Sequence, residues 1–248
     1  MPRFIPIAFA VFACGTSALL HAQTLERPLI KEGDRWVYSV RSEEPKGGIL
    51  TASTRKFEGA VTRVGSHAFI LARKATDSNL PAREVNMNLD WSVSRIVSGK
   101  DVVTGLPFDF PLKPGRTWDT DSADQHPNPL VKTLRNKQHY TVLGWEQVTV
   151  PAGTFKALKI EMEGEWSKEF EPQGASATSA VQNGPNGASI AMHSQGARTP
   201  DPTSGRLYKL TWYVPEVKRE VKMLSEDYDQ YGAVQHRTTA ELDSFSVN

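Results

Sequence analysis

Thiols are nearly missing from this chain. A single cysteine, Cys14, occurs in 248 residues, which excludes a disulfide framework and a cysteine-ligated metal centre, since each needs at least two. An excess of one charge sign is missing as well. Lys and Arg number 29 against 28 Asp and Glu, a formal net charge of +1. The concentrated cationic surface needed to neutralise phosphates is therefore lacking, and nucleic acid is not expected as a partner. Past the first 22 residues no apolar run is long enough to cross ~30 Å of hydrocarbon, so no transmembrane segment is expected in the mature chain. The compact signatures of catalysis are absent too: no G-x-S-x-G elbow, P-loop, G-x-G-x-x-G fingerprint or H-x-x-x-H pair. No cofactor is implied.

The first 22 residues, MPRFIPIAFAVFACGTSALLHA, have the layout of a secretory leader. Arg3 supplies the positive start, an apolar stretch runs from Phe4 to Leu20, and the small Ala22 precedes Gln23. Cleavage after Ala22 is expected to leave a cysteine-free chain with 28 charges of each sign. A lipidated start at Cys14 is the rival reading. It ranks second because Phe12 suits that site badly and the apolar stretch continues past it. A thiol-free exported chain suits an oxidising periplasm.

Beyond the leader, period-two alternation recurs and helical periodicity is scarce. Leu158 to Trp166 is the clearest case: Leu158, Ile160, Met162 and Trp166 share one face, while Lys159, Glu161, Glu163 and Glu165 share the other. Comparable runs lie at 35–42, 49–57, 60–64, 68–75, 83–89, 92–97, 138–150, 206–213, 219–224 and 238–247. Turn signals such as Gly47-Gly48, Pro114-Gly115 and Pro151-Ala152-Gly153 separate them. Many short strands on short links predict an all-β fold, a curved antiparallel sheet or open barrel, built as one domain over 23–248. Residues 168–205, dense in Gly, Ser, Ala, Pro and Asn, read as a disordered or mobile insertion within a hairpin. A short helix is the expectation at Asn128 to Leu134, with Asn128 as cap and Pro129 in the first turn.

Candidate chemistry is sparse. The cluster Asp119-Thr120-Asp121-Ser122-Ala123-Asp124-Gln125-His126 invites a calcium loop, but Ala123 falls where a ligand is needed and Leu130 where a bidentate Glu belongs. It reads as a solvated polar loop, and no metal site is expected. Five histidines survive cleavage: His67, His126, His139, His193 and His236. Spatial adjacency alone can build a triad, so a hydrolase with a noncanonical site around Asp124, His126 and His139 is the enzymatic alternative. Glu161, Glu163 and Glu165 stand roughly 7 Å apart along one strand face. They read as a solvated stripe paired with Lys209, Lys218 or Lys222 rather than as an acid/base set. Six tryptophans, Trp36, Trp91, Trp118, Trp145, Trp166 and Trp212, either fill the core or line an apolar cradle.

Three stretches carry a resemblance: Gly33-Asp34-Arg35-Trp36-Val37-Tyr38, Phe110 to Trp118, and Val148-Thr149-Val150-Pro151-Ala152-Gly153-Thr154-Phe155 followed by Trp212-Tyr213-Val214-Pro215. The chain resembles exported bacterial proteins of unknown function with a VPAGTF…WY.P signature. That resemblance implies a curved antiparallel sheet, similar in outline to the half-barrels of periplasmic lipoprotein carriers, and brings no catalytic residues with it. The expectation is a non-enzymatic periplasmic or secreted envelope protein that binds a lipid or other apolar small molecule, or an envelope protein. A purely structural envelope component is the further alternative.

Overall fold

In the computed structural model, which describes residues 24–97, 100–173, 177–184, 187–194 and 198–248, the alternating segments become strands. The N-terminal leader and Cys14 lie outside the described residues. Strands β1 (Arg35–Lys46), β2 (Ile49–Val64), β3 (Ala68–Ala75) and β4 (Arg83–Asn88) form one meander. A small hairpin, β5 (Val93–Val97) and β6 (Lys100–Gly105), follows. Then come β7 (Thr117–Asn128), β8 (Val131–Val150), β9 (Gly153–Phe170), the hairpin β10 (Ala177–Gly184) and β11 (Gly187–Ser194), β12 (Thr203–Val214), β13 (Arg219–Tyr228) and β14 (Val234–Ser246). The main sheet is antiparallel and ten-stranded, in the order β4-β3-β2-β1-β14-β13-β12-β9-β8-β7. The first strand pairs with the last, Tyr38 opposite Leu242, which welds the two meanders together. The expected all-β open sheet is what the chain forms. The only helical element among the described residues is a 3-10 turn at Pro215–Val217.

Cross-strand register sorts the side chains onto two faces. Trp36, Tyr38, Leu71, Val142, Ile160, Met162, Val221 and Leu242 are buried and share the inner face, onto which Trp91, Phe108, Leu112 and Val217 fold from the connections. Aromatic rings order this core. Trp91 meets Trp36 and Phe69 edge-on at 5.4 and 5.0 Å, and Trp118 stacks on Tyr140 at 4.8 Å. Such pairs contribute roughly 0.5–1.5 kcal/mol each beyond their burial. At the β1–β2 turn Gly47 and Gly48 both have positive φ, and a Cβ at either would meet nothing, so backbone conformation rather than space calls for glycine.

The structure corrects several sequence expectations. The polar run 119–126 is strand, not loop: it is most of edge strand β7, hydrogen-bonded along β8 from Thr117 opposite Thr141 to Gln125 opposite Thr133. No helix forms at 128–134. The Asn128 side chain does cap backbone donors, Leu130 N at 3.0 Å and Val131 N at 3.1 Å, but it closes the β7–β8 hairpin. Strands β9 and β12 pair with each other, and 168–170 and 203–205 belong to them. The chain between them holds a hairpin of its own, β10 with β11, paired only to each other.

Candidate functional site

The residues of the enzymatic alternative do not converge. His139 stands opposite Asp119 in the β7–β8 ladder, on the outer face, with Nδ1 2.8 Å from the carboxylate. Asp124 is opposite Leu134, five positions from His139, hence roughly 17 Å away and on the other face. His126 sits at the bulge beyond it with φ of 51°, its Nε2 2.8 Å from Glu171. Asp124 instead pairs with Arg95 of β5 at 2.7 Å. Among the described residues no group of three His, Cys, Asp or Glu side chains is placed to hold a metal. His193 belongs to β11, whose side chains lie outside what is described.

The glutamate stripe is on the outer face, as expected, but its partners differ. Glu165 pairs with Lys137 of β8 at 3.2 Å, and the Tyr208 hydroxyl donates to Glu161 at 2.9 Å. The lysines expected there are elsewhere: Lys222 binds Glu241, Lys218 binds Asp34, and Lys209 stands opposite Met162 on the inner face. Burial holds the Lys209 ammonium below its ordinary pKa, partly opposed by Glu220 and Asp227. Trp166 stands opposite Gly205 of β12. A Cβ at Gly205 would lie 2.7 Å from the indole and 1.9 Å from the Tyr228 carbonyl, so glycine alone lets Trp166 reach across and donate to that carbonyl at 3.0 Å.

A depression on the inner face encloses about 360 Å³. Its walls are Val40, Phe57, Leu71, Val85, Met87, Met223 and Ala240, with the Trp91 and Tyr38 rings beside them. Arg219 and Arg73 also line it. The Arg219 guanidinium stacks over the Trp91, Tyr38 and Trp36 rings at 4.6, 5.0 and 5.4 Å and pairs with Glu220 at 2.7 Å. Burial opposes its charge, but Glu220 and Tyr38 together more than offset that, and its pKa stays above the ordinary guanidinium value. Burial pushes the Tyr38 hydroxyl up, so the phenol is neutral and donates to the Glu220 carbonyl at 2.5 Å. Trp91 is among the tryptophans that the sequence offers for either a core or an apolar cradle, and Tyr38 and Leu71 belong to alternating runs. No spacing in the chain announces that β1, β3, β4, β13 and β14 meet round one hollow.

The β5–β6 hairpin touches both edge strands of the sheet, β4 and β7. Its Arg95 reaches Asp124 of β7, while the Asn88 amide of β4 donates to Ser92 and Ser94 at 2.9 and 3.0 Å. One short hairpin can bridge both edges only because the sheet curls, so the inner face is concave. A second, more open depression of about 480 Å³ lies on the same face further along, where Trp166, Asn136, Asp227 and His236 replace the apolar walls.

No family model and no curated protein matches the chain. Among solved structures, one from Bacteroides fragilis, described as an exported protein with a YmcC-like fold, is similar over 90% of this chain and 100% of its own, at 12% identity and a TM-score of 0.38. Another, from Parabacteroides distasonis and described as a lipoprotein, is similar over 90% of this chain and 99% of its own, at 12% identity and a TM-score of 0.43.

Proposed function

We propose that the protein is a non-enzymatic, exported binding protein of the cell envelope that holds an apolar small molecule in the concave face of its sheet. The cavity of about 360 Å³ carries this reading: its walls are aliphatic and aromatic, and a few polar groups sit at fixed positions among them. Ligand sites are concave and mostly apolar with a small number of placed polar groups. A side-chain-filled sheet would serve a purely structural component better, because an unfilled hollow forfeits dispersion contacts that a packed core retains. Export rests on Arg3, the apolar stretch and Ala22.

Expression with the leader intact, followed by native mass spectrometry of the exported protein, tests both parts. The expected mass is that of a chain beginning at Gln23 plus a component released by solvent extraction. The apolar fluorophore N-phenylnaphthylamine should brighten on titration into the extracted protein. A bare mass together with no brightening would overturn ligand binding. A lipidated chain beginning at Cys14 would replace the soluble envelope protein with a membrane-anchored one.

A further inference from the structure

Much of the charge on the outer face is paired. Arg35 pairs with Glu58, Lys56 with Asp243, Arg135 with Asp121, Lys137 with Glu165, Lys159 with Glu146 and Lys222 with Glu241. At the cavity the pattern changes. Arg73 of β3 and Arg83 of β4 stand directly opposite each other in register, and Arg73 shares its inner-face row with Gly59 and Trp36. Like charges directly opposite in a ladder are destabilising. Neither arginine has an acidic partner among the described residues, and the two carboxylates that line the cavity, Glu58 and Glu220, are already engaged by Arg35 and Arg219. Arg219 itself keeps a buried Nε without an acceptor among the described residues. Two arginines without an acidic partner thus stand side by side next to an apolar hollow.

We infer that the occupant of this cavity is an amphiphile with an acidic headgroup, a carboxylate or a phosphate monoester, held at the rim by Arg73 and Arg83 while its chain lies against Leu71, Met87 and Trp91. The inference rests on the apolar-ligand reading above and adds the headgroup to it. Guanidinium groups suit this role because their planar donor fork matches carboxylate and phosphate oxygens in pairs. The headgroup would also remove the mutual repulsion of the two arginines, so ligand binding and local sheet stability would be coupled.

The test compares three probes with the same alkyl chain, dodecanoic acid, dodecyl phosphate and dodecanol, titrated calorimetrically into the delipidated protein. At least one of the two acids should bind about tenfold more tightly than the alcohol, as expected for charge-assisted hydrogen bonds, and the tighter acid identifies the headgroup. In an Arg73→Gln/Arg83→Gln variant that preference should fall to about twofold with alcohol binding unchanged, whereas Lys209→Gln should keep it. Equal binding of acids and alcohol by the wild type would overturn the headgroup inference and leave the apolar reading standing. So would a preference that survives the double arginine variant, or one that vanishes in Lys209→Gln instead. Failure of all three probes to bind a protein with native circular dichroism would overturn both.

Discussion

Replacing Asp34 by alanine removes the carboxylate on which Lys31, Lys218 and Asn248 converge. Asp34 is fully buried. Its Oδ2 accepts from Lys218 Nζ at 2.7 Å and from the Lys31 amide at 2.9 Å, and its Oδ1 accepts from the Asn248 amide at 2.9 Å. Lys218 follows the 3-10 turn whose Val217 carbonyl receives the Trp36 indole at 2.8 Å, so the pair ties the turn to the core. Removing one partner of a buried ion pair costs about 3–5 kcal/mol, chiefly because the other charge is stranded. Here Lys218 is mostly buried and would keep only the Asn248 carbonyl, at 2.9 Å. Against a total stability of about 5–15 kcal/mol this is a large loss. At roughly 2–4 °C per kcal/mol for a chain of this size, the thermal midpoint should fall by about 10–15 °C.

Urea melts of Asp34→Ala, Lys218→Met and the double variant provide the assay. Lys218→Met retains the backbone φ of 66° and removes only the ammonium. Because each single change strands a charge and the double change strands none, the double variant should lose less than the sum of the two by about 2 kcal/mol or more. A loss below about 1 kcal/mol for Asp34→Ala, or additivity of the two changes, would refute the claim that this pair is buried and coupled.

Three further outcomes are expected. Met162→Lys should destabilise more than Met162→Glu in denaturant melts, because Lys209 stands directly opposite on the inner face; the reverse order would show that the register differs. Removing residues 174–197 and joining the ends by a short turn should shift the thermal midpoint little. Gln173 and Arg198 already exchange backbone hydrogen bonds at 2.9 and 3.2 Å, and loop length costs only ~0.6 kcal/mol per doubling. Finally, the Glu226 carboxyl is held below its ordinary pKa, first by the Tyr228 hydroxyl and also by Arg237. Its contribution is therefore present above the unfolded value of about 4.3 and lost as pH falls through the lower folded value. Wild type and Glu226→Gln should accordingly differ most near neutrality and converge in acid, and parallel stability curves would contradict this.

Local pattern alone placed most of the sheet. Alternation in 68–75 predicts β3 to the residue, and the face assignment of Met162 against Glu163 holds, because a pleated strand with one buried side leaves no freedom of phase. The pairing of 158–166 with 206–213 followed from adjacency across a polar insertion. Asp34, Arg35 and Trp36 were noticed as a recurring string, without the reason for it, since the partners of Asp34 are 184 and 214 residues away.

What the tertiary structure decided is where alternation fails or where distant strands meet. Strand β7 carries Asp119, Asp121, Asp124, Pro127 and Asn128, residue types depleted in strands. It is extended because β8 offers a ladder and because an edge strand needs little apolar burial of its own. The strand pattern puts Lys209 among residues of either face equally well, and only the pairing with Met162 and Ser225 assigns it to the inner one. The cavity is the extreme case: Arg73, Tyr38, Trp91 and Arg219 come from four separate stretches. Composition and periodicity report the environment of each strand alone. A hollow is a property of how a curved sheet brings several strands together, and the pairing of the first strand with the last is what creates it.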